Sequence, residues 1–136
     1  MRIWLLCAAI AGLAACSGGN AAAVRELMKS PIAPSSDAIF NAVAYTNGRL
    51  VAAPQDDAAW SRLRGHAQSL NHSADRLTAL APSTNSAEWL KQSAALRTSA
   101  SDVERAVEHR DLDQILAAGG SVYATCTNCH AAYIED

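Results

Sequence analysis

The chain has 136 residues, half of them hydrophobic, and a formal net charge of −2. Once an N-terminal leader is set aside, that length is one domain, and with no block of basic residues it offers no electrostatic footprint for nucleic acid. Alanine and leucine are abundant, glycines are few and β-branched runs are absent, so the predicted class is all-α.

The N-terminus reads as a processing segment. Met1-Arg2 is a short positive start, and residues 3–12 form an apolar run too short to span a bilayer. Leu13-Ala14-Ala15-Cys16 follows and resembles a bacterial lipoprotein signal, in which the cysteine takes a diacylglyceryl group and becomes the first mature residue. The competing reading is an ordinary secretory cut after Ala15. Lipidation is favoured because Cys16 stands at the cut and Ser17-Gly18-Gly19-Asn20 follows as a flexible tether. Residues 1–15 are thus expected to be a signal peptide, 16–20 a lipidated tether and 21–136 the folded domain. Attachment would come through acyl chains rather than a transmembrane helix. The implied location is the periplasm, and Ser17 after the cysteine points to the outer membrane.

Breakers divide the domain into four helical units. The first covers residues 21–46 and is expected to kink or break at Pro31 and Pro34 and to end at Asn47-Gly48. The second covers 56–80, from an acidic cap at Asp56 to the stop before Pro82. The third covers 85–109, with Asn85 and Glu88 spaced as a capping box, and the fourth covers 111–133, with Asp111 and Gln114 in the same relation. No strand-like alternation is evident.

Apolar residues recur in alternating steps of three and four. Trp60, Leu63, Ala67, Leu70, Ala74 and Leu77 mark the second unit, and Trp89, Ser93, Leu96, Ala100, Val103 and Val107 the third. Leu112, Ile115, Gly119 and Val122 mark the fourth. This is the seam of a left-handed bundle, and short connections make successive helices antiparallel. The expected architecture is an antiparallel up-down-up-down four-helix bundle. Gly119 on its seam leaves room either for a bound group or for close helix approach.

Near the end of the fourth unit stands Cys126-Thr127-Asn128-Cys129-His130, the C-x-x-C-H spacing of c-type haem attachment. Each thiol can add to a haem vinyl group as a thioether, and the histidine can bind the iron. On a helix the three side chains fall within an arc of about 100°. A redox dithiol is expected near a strand–helix junction, and zinc asks for four ligands, so haem is the favoured reading. Cysteine use then closes: Cys7 leaves with the signal, Cys16 takes lipid, and Cys126 and Cys129 take one haem c.

The other face of the iron is sought by depth in the bundle. His130 lies about 9 Å from the end of the last helix, and Met28 lies about 10 Å into the first, at the same level on an adjacent antiparallel element. His72 points off the seam, His66 lies about 12 Å too low, and His109 sits at the opposite end, so these three read as surface histidines. Met28 is the candidate distal ligand, and core filler is its alternative role.

Val24-Arg25-Glu26-Leu27-Met28-Lys29 near the start and the C-x-x-C-H motif at the end together resemble the class II c-type cytochromes, the cytochrome c prime family and its low-spin, methionine-ligated relatives. The resemblance extends over the whole domain in layout. It implies a distal position at Met28, a haem-propionate contact at Arg25, and pairing of two copies through the first two helices. Three features depart from the pattern. Arg25 stands three rather than four residues before Met28, Pro31 and Pro34 follow the ligand position, and Ile134 replaces a basic residue four after the haem histidine.

The expected function is one-electron transfer between partner proteins in the bacterial cell envelope, with no substrate transformed. The alternative is a five-coordinate haem protein that binds nitric oxide or carbon monoxide. An enzyme such as a peroxidase needs distal acid–base groups, and the sequence offers no distal histidine.

Overall fold

The computed structural model describes residues 17–134. The expected signal peptide and the lipidation site Cys16 lie outside these residues. The chain is mostly helical and its helices pack tightly in pairs, as in a helical bundle. Among the described residues, no helix is long and apolar enough to cross a membrane.

The first expected unit is several elements. Helix α1 covers Ser17–Leu27, a π-helical stretch follows over Met28–Ile32, and α2 covers Ala33–Phe40. Ser30 leaves helical geometry, at φ −160° and ψ 121°. Pro31 comes next in the chain, and a proline pushes its predecessor into extended conformation. Pro34 sits in the first turn of α2, where a missing N–H costs nothing. The start at Ser17 corrects the expected tether: Ser17 to Asn20 are helical, continuous with the strong helix formers Ala21 to Ala23.

A larger correction follows α2. The helix was expected to run to Thr46, but it ends at Phe40, and Asn41 donates from Nδ2 to the Asp37 carbonyl at 2.7 Å. Strands β1 (Ala44–Thr46) and β2 (Arg49–Ala52) then form an antiparallel hairpin. Asn47 (φ 51°) and Gly48 (φ 74°) make the turn. Two consecutive positive φ values are what a tight hairpin with the strands' right-handed twist requires, and Asn-Gly is the pair that tolerates them.

The remaining helices keep close to their expected bounds. Helix α3 covers Asp57–Ala79, α4 Ser86–Glu108 and α5 Leu112–Tyr133. Asp56 caps α3 by accepting from the Ala59 N–H at 2.7 Å. Asp111 caps α5 by accepting from the Gln114 N–H at 3.0 Å. The third cap differs from expectation. Asn85 is left-handed (φ 54°), its side chain makes no cap bond, and Glu88 turns instead to Gln92 and Lys91.

Gln68 meets Glu104, Asn71 meets Ser101, Asp75 meets Arg97 and the Leu77 carbonyl meets Trp89, so α3 and α4 run in opposite directions. The core follows the predicted seams. Leu63, Ala67, Leu70, Ala74 and Leu77 of α3 are buried, as are Trp89, Ser93, Leu96, Ala100, Val103 and Val107 of α4, and Ile115, Gly119 and Val122 of α5. Trp60 is only half-buried, beneath the Arg110 guanidinium at 5.5 Å. Gly119 faces α2: a Cβ there would meet Ile39 Cγ2 at 3.6 Å, an ordinary van der Waals contact.

Candidate functional site

A cleft opens between the π-helical stretch, the end of α3, the first turns of α4 and the last turns of α5. Its walls carry Met28, Ile32, Leu77, Trp89, Gln92, Ser93, Leu96, Thr125, Cys126, Cys129 and His130. Four of the residues singled out in the sequence therefore line one space: both cysteines, the histidine after them, and Met28. The cleft is narrow: its cavity volume is about 30 Å³, room for about one water molecule.

Helix geometry explains the grouping. Thr125, Cys126 and Cys129 continue the buried seam of α5 beyond Val122, and both cysteines are half-buried free thiols. His130 is more exposed, one residue around the helix. Met28 follows the buried Leu27 and is itself half-buried against the core. Burial pushes both thiols above their ordinary pKa, and Cys129 is raised further by Cys126 and by the Glu88 carboxylate. Both are neutral at neutral pH. A redox dithiol needs the opposite, a thiol lowered by positive surroundings. Among the described residues no group of three or more His, Cys, Asp or Glu is arranged to hold a bare metal ion, whereas a structural zinc asks for four ligands.

Two polar groups in the cleft are satisfied internally. Gln92 donates from its amide to the Glu88 carboxylate at 2.5 Å, and Thr125 donates to the Ser121 carbonyl at 3.0 Å. The Gln92 bond holds the Glu88 carboxyl below its ordinary pKa, against an opposing effect of burial and with help from Lys91.

The other candidates lie elsewhere. Arg25 is exposed and is not among the residues that line the cleft. His66 pairs with Ser35 Oγ at 3.3 Å, while His72 is exposed on α3 and His109 is exposed at the end of α4. Gln92 and Thr125 were not singled out in the sequence. Each sits beside a seam position, and a wider stripe on α4 and α5 would have included them.

No family profile, no curated protein and no solved structure matches the chain.

Proposed function

We propose that the protein is a c-type cytochrome that carries one covalent haem in this cleft and passes single electrons between partner proteins. The observation that carries this reading is the convergence of Cys126, Cys129, His130 and Met28 on one cleft. The residues fit the group in chemistry: two neutral thiols for the vinyl additions, an imidazole and a thioether for the iron, and apolar walls from Ile32, Leu77, Trp89 and Leu96. The cavity of about 30 Å³ is far smaller than a porphyrin, so the group would have to part the walls and project past the mouth.

Bound there, haem supplies reversible one-electron exchange. Cys126 and Cys129 would anchor it, His130 would hold the iron, and Met28 would offer a soft second ligand that favours the reduced state. The apolar walls exclude water, which disfavours the extra charge of the oxidised state. Arg25 is exposed and outside the cleft walls, and its propionate contact belongs to the same proposal. The resemblance to class II cytochromes and the up-down-up-down order of the helices belong to the same proposal, as does lipid attachment at Cys16 in the periplasm. The apolar lining also suits a small diatomic ligand, so gas binding is the second reading if Met28 leaves the iron open. A ferric and ferrous absorption spectrum of the full chain, made in a haem-maturing host, tests the proposal. A low-spin spectrum supports the carrier, and a high-spin ferrous form that takes up carbon monoxide at once supports the gas binder.

A further inference from the structure

The last turn of α5 carries Cys129 and His130, and it ends without a glycine cap. Its C-cap is Ile134 in extended conformation (φ −106°, ψ 114°), and among the described residues the Ile134 N–H to His130 carbonyl bond, 2.9 Å, closes it from beyond. Helix ends of this kind fray unless side chains tie them down. One side chain does so. Tyr133 lies on the same seam as Cys126 and Cys129, and its hydroxyl donates to the Asn85 carbonyl at 2.6 Å. Its ring meets the Trp89 ring edge-on, with centroids 5.0 Å apart and planes at 82°. Trp89 is buried, lines the cleft, and donates from Nε1 to the Leu77 carbonyl at the end of α3, also at 2.6 Å. The left-handed Asn85 (φ 54°) starts α4: its carbonyl takes the Trp89 backbone N–H as an ordinary helix bond and also the Tyr133 hydroxyl. Three helix ends are thus joined through two aromatic side chains, one turn from the C-x-x-C-H motif.

We infer that Tyr133 and Trp89 are positioning residues for the haem-binding turn: through them the α3–α4 junction holds His130 and Cys129 at a fixed height in the cleft. The inference rests on the haem reading proposed above. Neither residue is a ligand. Each acts by keeping the turn that bears the ligand in one place, so its loss acts on the iron through the mobility of His130.

Tyr133→Phe keeps the ring against Trp89 and deletes one hydrogen bond. A neutral hydrogen bond is worth enough to raise the frayed population of this turn by roughly 2- to 10-fold. The full chain, made in a haem-maturing host, is read three ways: by mass for covalent haem, by amide hydrogen exchange over residues 130–134, and by the spin state of the ferric iron. Tyr133→Phe should keep covalent haem and helix content, exchange these amides roughly 2- to 10-fold faster, and gain a high-spin fraction. Asn85→Gly, which retains the accepting carbonyl and suits the positive φ, should match the wild type in all three. Trp89→Phe, which loses the bond to Leu77, should repeat the effect of Tyr133→Phe. If Tyr133→Phe leaves both exchange and spin state unchanged in a haem-bearing protein, the positioning role is refuted and the haem reading stands. If the wild type carries no covalent haem, the haem reading fails and the inference falls with it.

Discussion

Replacing Met28 by alanine separates a ligand from a piece of core. A fully buried methionine cut to alanine costs about 2–5 kcal/mol. Met28 is only half-buried, at the edge of the core cluster and on the wall of the cleft. The expected packing loss is therefore about 1–2 kcal/mol, a shift in the urea midpoint of about 0.3–2 M. The variant should stay folded, so a change at the iron can be read without the confusion of unfolding. The assay is a near-infrared spectrum of the ferric protein with carbon monoxide titration of the ferrous form. Thioether ligation gives a weak sulfur-to-iron charge-transfer band and blocks the sixth position. Met28→Ala should abolish the band and let carbon monoxide bind quickly. The same changes made at His66, His72 or His109 should leave the spectrum alone, because none of them lines the cleft. A wild type that lacks the band and already binds carbon monoxide refutes the ligand assignment and moves gas binding ahead.

Leu70, fully buried in α3, should cost about 2–5 kcal/mol as Leu70→Ala, a large share of a small domain's stability, measured by urea unfolding. In chain made without haem, Cys126 and Cys129 should react with iodoacetamide at pH 8 more slowly than a free cysteine. Because their folded-state pKa is raised, the stability linked to them is present below the ordinary thiol range and is lost as pH rises through it; reaction as fast as an exposed thiol would refute the burial. Cys16→Ala should abolish incorporation of labelled fatty acid, and equal labelling of variant and wild type would leave an ordinary cleaved signal.

The parts of the fold that local chemistry dictates were legible. Asp56 and Asp111 act as helix caps where a carboxylate precedes an apolar period, and the steps of three and four on α3, α4 and α5 mark side chains that are buried. Met28 lines the cleft with Cys126, Cys129 and His130, although the level worked from helix rise assumed a start at Ala21, and the helix starts at Ser17 with Met28 opening the π-helical stretch. The hairpin was not legible from Asn47-Gly48, because a left-handed pair ends a helix as well as it turns two strands. The deciding signal lay beside it: Tyr45, Thr46 and Val51 are strand formers on both sides of the turn. Asn85 misled in another way. A capping box needs an extended residue at its start, and here a tertiary hydrogen bond from Tyr133 meets the carbonyl of a left-handed one. Gln92 was hidden because a single-file seam ignores the residue next to it.

The central claim is that Cys126 and Cys129 hold haem by thioether bonds. Its most direct measurement is the mass of the full chain purified from an export-competent, haem-maturing host, taken after extraction with acidified organic solvent. The chain should retain the added mass of one haem, and Cys126→Ser with Cys129→Ser should remove it. A chain that loses its haem to the solvent, or that carries zinc in its place, would contradict it.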